Sequence, residues 1–193
     1  MSQTGNPENQ QIRLTAATRR NIIEHCRRKL TGGYLDGEEQ NLKAYGLLAG
    51  TKTPGLLTIN ASIPLVKNAR TVEPHRSFMD KMMRQHAVAS VTPLAKRGWV
   101  ADPAELTRAV TEFKRRGLTL IGSYHMHRVA WDHDDSREAP TTLDTVLGRD
   151  SRLVMFIVSM VKPDRPIIRA FFEGIVDREI PIIVMADQPE PIA

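Results

Sequence analysis

Gly117-Leu118-Thr119-Leu120-Ile121-Gly122-Ser123-Tyr124-His125-Met126-His127 is the stretch on which the fold turns. Its apolar run from Leu118 to Ile121 predicts a buried strand reaching His125, and Gly117 ends the element before it. Side chains of a strand alternate between its two faces, so His125 and His127 leave on the same face and can address one ion. A His-x-His pair alone is more often structural than metal-binding. The neighbouring sequence therefore carries the decision.

Just upstream, Asp102 can cap a helix, Pro103 suits its first turn and Glu105 completes a box-like start. Leu106, Ala109, Val110 and Phe113 form one apolar stripe, which predicts a helix over 103–116. Downstream, Pro140-Thr141-Thr142-Leu143-Asp144 reads as a capping box opening a helix with Leu143, Val146 and Leu147 on its apolar face. An apolar strand over 153–158 follows. Asp144, in the first turn of that helix, can point back at the histidine pair. Two imidazoles and one carboxylate leave a fourth position for water, the arrangement of catalytic rather than structural zinc. The single Cys26 excludes an intrachain disulfide and a thiolate site.

Farther out, helical spacing of Ile22, Ile23, Cys26 and Leu30 predicts a helix over 15–30, stopped by Gly32-Gly33. Residues 45–50 and 56–59 flank a Thr-Pro-Gly turn and read as paired strands, and 167–172 and 180–184 as further strands. Residues 60–101 give a mixed pattern. Interleaved strands and helices predict an α/β (α+β) domain over 11–186, with a central mixed sheet flanked by helices. A polar tail at 1–10 and a Pro-rich tail at 187–193 are expected to be disordered.

The length of 193 residues, with 41% hydrophobic and 25% charged, suits one soluble globular domain able to bury a proper core. The formal charge is +5, but its basic clusters at Arg27-Arg28-Lys29 and Lys114-Arg115-Arg116 read as exposed helix faces. Only 5% of residues are aromatic, which argues against a single-strand nucleic-acid binder. No apolar run approaches the ~20 residues of a membrane span, and the polar start lacks the apolar core of a signal peptide. A soluble, cytoplasmic protein is expected.

The order His125-Met126-His127, then Thr141-x-x-Asp144, then the strand over 153–159, resembles the His-x-His, Ser-x-x-Asp signature of the JAMM (MPN/JAB) zinc metalloproteases. Gly46-Leu47-Leu48-Ala49-Gly50 is similar to the family's first core strand. Pro64-Leu65-Val66-Lys67-Asn68 with Phe78-Met79-Asp80 resembles the segment that follows it. The resemblance covers roughly 12–175 and implies a single MPN/JAB-like domain with cytidine-deaminase-like layering. It also implies Zn²⁺ bound by His125, His127 and Asp144, with Thr141 in place of the serine that stabilises the oxyanion. The implied reaction is hydrolysis of an amide or isopeptide bond, in a small amide or at the tail of a ubiquitin-like carrier, with zinc-bound water as nucleophile.

Two departures bear on that expectation. Lys43 stands where the family has the glutamate that takes a proton from the water, and a lysine is not a carboxylate base. Glu39 would lie one turn earlier on the same face of a continuous helix and is the expected substitute, with Glu73, Glu138 and Asp135 as other carboxylates. Thirteen residues separate His127 from Thr141, more than the family has. The family's own spacing would put Asp135 at the hydroxyl position and Glu138 at the ligand position, but the helix start favours Asp144. The added residues form an enlarged loop in which Trp131-Asp132-His133-Asp134-Asp135 reads as solvated, and Arg128 replaces the family's proline. Lys43 supports an alternative: a catalytically silent MPN-like binding module that retains zinc.

Overall fold

Strand β1 (Gln11–Thr15) opens the computed structural model, which describes residues 10–186; the expected tails lie outside the described residues, apart from residue 10. Thr15 ends β1 and caps helix α1 (Ala16–Leu30), its hydroxyl accepting the Thr18 N–H at 3.3 Å. The helix begins where its sequence pattern does. β1 escapes that pattern because only Ile12 and Leu14 mark it.

Strands β2 (Tyr45–Thr53) and β3 (Leu56–Leu65) pair antiparallel and run longer than their apolar cores suggest. The mixed stretch after them holds helix α2 (His75–His86) and an irregular segment leading to helix α3 (Pro103–Arg115). Asp102 caps α3, accepting the Glu105 N–H at 2.8 Å. Glu105 itself does not close a capping box. Its carboxylate accepts the Val66 and Lys67 N–H groups, both at 2.9 Å, and ties α3 to the end of β3.

The remaining elements are β4 (Thr119–His127), α4 (Thr142–Gly148), β5 (Val154–Ser159), β6 (Ile167–Phe172) and β7 (Ile182–Met185). They complete a mixed seven-stranded sheet in the order β6-β5-β4-β2-β3-β1-β7. β4 is central, antiparallel to β2 and parallel to β5. On one face, Ile22 and Cys26 of α1 meet Leu48, Ile59, Tyr124 and Phe156. On the other, Ala109 and Phe113 of α3 meet Leu47, Ala49 and Leu65. Each such large side chain contributes about 1.5–3 kcal/mol by leaving water. Cys26 lies wholly inside, where burial pushes its thiol up to about 12 and leaves it unreactive. Among the described residues, no helix is long and apolar enough to cross a membrane.

Candidate metal centre

The alternation of β4 sends Tyr124 into the α1 side of the sheet and Ser123, His125 and His127 to the other. There α4 brings its first turn over the strand end. Gly148 explains how α4 docks so closely: a Cβ at that position would lie 2.6 Å from the Glu173 carbonyl oxygen. Thr145 adds a hydrogen bond from its hydroxyl to the Gly174 carbonyl at 2.5 Å. With α4 docked in this way, Asp144 points at the histidines. The two Nε2 atoms are 3.1 Å apart, Asp144 Oδ1 is 3.3 Å from His125 Nε2, and Oδ2 is 3.5 Å from His127 Nε2.

These separations match a shared ion. Two ligand atoms about 2.0–2.1 Å from zinc at a tetrahedral angle stand about 3.3 Å apart. The orientations also fit. His127 Nδ1 donates to the Arg137 carbonyl at 2.9 Å, which leaves its Nε2 lone pair facing the group. Asp144 Oδ2 accepts the Thr141 N–H at 2.7 Å and hydroxyl at 2.8 Å, while the Thr141 oxygen accepts the Asp144 N–H at 3.2 Å. The capping box thus aims the carboxylate. Burial alone would raise the Asp144 carboxyl, but His125 and His127 beside it hold it well below the usual range. Burial lowers His127. An anionic carboxylate beside a neutral imidazole is the protonation state of metal ligands. His125, His127 and Asp144 therefore form a group able to hold a metal ion.

Neither a family model nor a curated protein matches the chain. Among solved structures, the chain is similar to the solution structure of protein DSY2949 from Desulfitobacterium hafniense, with a TM-score of 0.60 and 20% identity. The match covers 91% of this chain and 94% of that one, and at this identity it shows a shared fold.

The carboxylates expected to replace the missing glutamate stand elsewhere. No helix joins Glu39 to Lys43; the segment is irregular, and Glu39 is exposed and outside the cavity at the histidines. Its backbone N–H bonds the Val66 carbonyl instead. Glu73 is exposed and paired with Arg76, and Glu138 is paired with Arg169 at 3.1 Å. Asp135 is exposed. Lys43 does reach the cavity wall, where its Nζ donates to the Lys96 and Gly98 carbonyls at 2.8 Å each.

The enlarged loop is more ordered than a solvated reading allows. Asp132, His133 and Asp135 are exposed, but Trp131 and Asp134 exchange backbone hydrogen bonds of 2.9 and 3.0 Å. Asp134 Oδ1 then accepts the Arg137 N–H at 2.7 Å, and the Ser159 hydroxyl bonds the Ser136 carbonyl. These contacts hold Arg137 at φ 51°, a strained left-handed conformation that turns its carbonyl toward His127. Sequence reading also passed over Tyr45 and Trp99. Tyr45 stacks between His125 and Trp99, with ring centroids 6.4 and 6.3 Å away. The Gly-Leu-Leu strand start pointed to Tyr45; nothing local pointed to Trp99.

Proposed function

We propose that this chain is a zinc-dependent hydrolase of an amide or isopeptide bond, in a small amide or at the tail of a ubiquitin-like carrier. The scaffold in this reading is an MPN/JAB-like domain with cytidine-deaminase-like layering. One observation carries the proposal: the three convergent side chains stand in a cavity of about 620 Å³ with walls that include Phe78, Met79, Met83, Trp99 and Leu143. A structural zinc site is closed by a fourth protein ligand, whereas three ligands opening on an apolar cavity leave room for water and substrate.

Bound zinc would supply Lewis acidity and an activated water near neutral pH. The chain's own residues do the positioning. The Arg137 carbonyl fixes the His127 tautomer, and the Thr141 N–H and hydroxyl fix Asp144, so little reorganisation remains at the moment of reaction. Thr141 acts first through Asp144. Its expected hydrogen bond to the oxyanion requires the hydroxyl to turn from that carboxylate to the substrate.

The silent binding module is supported by a different observation. Besides Asp144, the carboxylate lining the cavity is Glu173, which accepts the Arg152 N–H at 3.0 Å and lies 3.6 Å from Arg178. With Lys43 bound to two carbonyls, no uncommitted carboxylate lines the cavity among the described residues. The test loads the full chain with zinc and assays a panel of amides and peptide conjugates, wild type against His125→Ala. Chelator-sensitive turnover lost in the variant supports the hydrolase; one bound zinc with no turnover supports the module. Protein that binds no metal and turns over nothing contradicts both zinc readings.

A further inference from the structure

Two arginines are deeply buried, and they differ in how their donors are used. Arg70, 1% exposed, gives Nε to the Arg97 carbonyl at 2.9 Å and its terminal nitrogens to the carbonyls of Arg76 and Leu94 and to Asp80. That is a cation satisfied by the fold. Arg137, 7% exposed, lines the cavity with His127 and Asp144. Its guanidinium carbon Cζ stands over Trp131, 3.2 Å from the ring centroid, and its ion-pair partner Asp134 is 3.6 Å from one terminal nitrogen. Nε is shielded from solvent and has no acceptor among the described residues.

A buried cationic donor without an acceptor is costly unless a ligand completes it. Trp131 lies over the guanidinium carbon, and the N–H edge of such a group is where a carboxylate binds with two oxygens. The cavity's charge agrees. Lys43, Arg97 and Arg137 line it against Asp144 and Glu173, and a divalent ion on Asp144 would tilt the balance further toward cations.

We propose that Arg137 forms an anion subsite beside the metal-binding side chains and takes a carboxylate of the substrate. The inference deepens the hydrolase reading and rests on its view of the cavity as the substrate site. It assigns the substrate class as an amide bearing a free carboxylate close to the bond that is cleaved, with apolar substituents along the Phe78 and Leu143 walls. The loop absent from the family's spacing would then have two tasks: its Arg137 carbonyl orients His127 and its side chain selects the substrate.

The test measures binding rather than turnover, so failure of hydrolysis does not decide it. Full-length chain, stripped of metal with chelator, is titrated calorimetrically with N-benzoylglycine, its neutral amide N-benzoylglycinamide, and phenyl phosphate. The carboxylate should bind at least about tenfold tighter than the amide, Arg137→Met should reduce that preference below about twofold, and Arg137→Lys should keep only part of it. Equal binding of carboxylate and amide to wild type overturns the proposal, as does a preference unchanged in Arg137→Met. Tighter Arg137-dependent binding of phenyl phosphate overturns the carboxylate assignment. If Arg137→Met is unfolded by circular dichroism, the wild-type ratio and Arg137→Lys decide.

Discussion

The two faces of β4 carry similar chemistry to opposite ends. On the α1 side, Tyr124 shares a 2.7 Å hydrogen bond with His25 Nδ1, and Glu38 is surrounded by Arg28, by Lys29 at 3.3 Å and by His25 at 3.7 Å. The Leu35 N–H adds a further donor to Glu38 at 2.9 Å. On the other side, His125, His127 and Asp144 converge on one point with cavity beyond them, and Arg137, paired with Asp134, has no acceptor for its Nε among the described residues. Histidine, carboxylate, tyrosine and cation occur on both faces. What separates them is where the groups face: donors of the protein ring the Glu38 carboxylate, although buried His25 Nε2 has no hydrogen-bond partner among the described residues, whereas the convergent groups of the open side face a cavity.

Perturbing Glu38 should give the largest loss of stability. Glu38→Ala strands the buried Lys29 and the half-buried Arg28 and should cost about 3–5 kcal/mol in urea denaturation while leaving metal affinity unchanged. A smaller effect comes from acid. Burial holds His25 down at about 4 against an ordinary 6.5, so it must gain a proton on unfolding. Its contribution is intact above pH 6.5 and drains away as pH falls toward 4, by about 3 kcal/mol. Burial pushes Glu38 up, but Arg28 and its other partners outweigh this and hold it at about 2 against 4.5, so its share is lost below pH 4.5. Urea midpoints followed from pH 7.5 to 4 should fall monotonically, and a flat profile would refute the closed cluster.

Tyr124→Phe tests the same cluster more gently. Losing the hydroxyl partner of His25 should cost about 1–2 kcal/mol without affecting metal. On the open face, Thr141→Ala removes a helix cap and one donor to Asp144. It should lower the melting temperature by an amount equivalent to about 1 kcal/mol and weaken zinc binding about tenfold by calorimetry. The two variants thus separate by face: one moves stability alone, the other moves metal affinity as well.

The sequence made the open face more legible than its surroundings, and the reason is range. His-x-His on a strand and the Thr141 to Asp144 box are local periodicities, and both survive folding as drawn. Glu105 looked like half of a capping box, but its carboxylate found two backbone donors thirty-eight or more positions away, at Lys67 and Val66. Glu39 was placed by assuming a helix that the chain does not form, because 38–44 is held by the Glu39 N–H bonding the Val66 carbonyl and by Lys29 reaching the Glu39 carbonyl at 2.8 Å. Arg137 carries no local signature. Its strained conformation and its place beside His127 arise from Trp131, Asp134 and Ser159 acting together.

The central claim is that His125, His127 and Asp144 bind one metal ion without being needed for the fold. Calorimetric zinc titration of metal-free wild type, His127→Ala and Asp144→Asn, paired with thermal melts, tests it most directly. Wild type should take up one zinc per chain, both variants should bind at least about a hundredfold more weakly, and the metal-free variants should melt close to metal-free wild type. Zinc bound equally well by the variants, or not at all by wild type, would contradict the account.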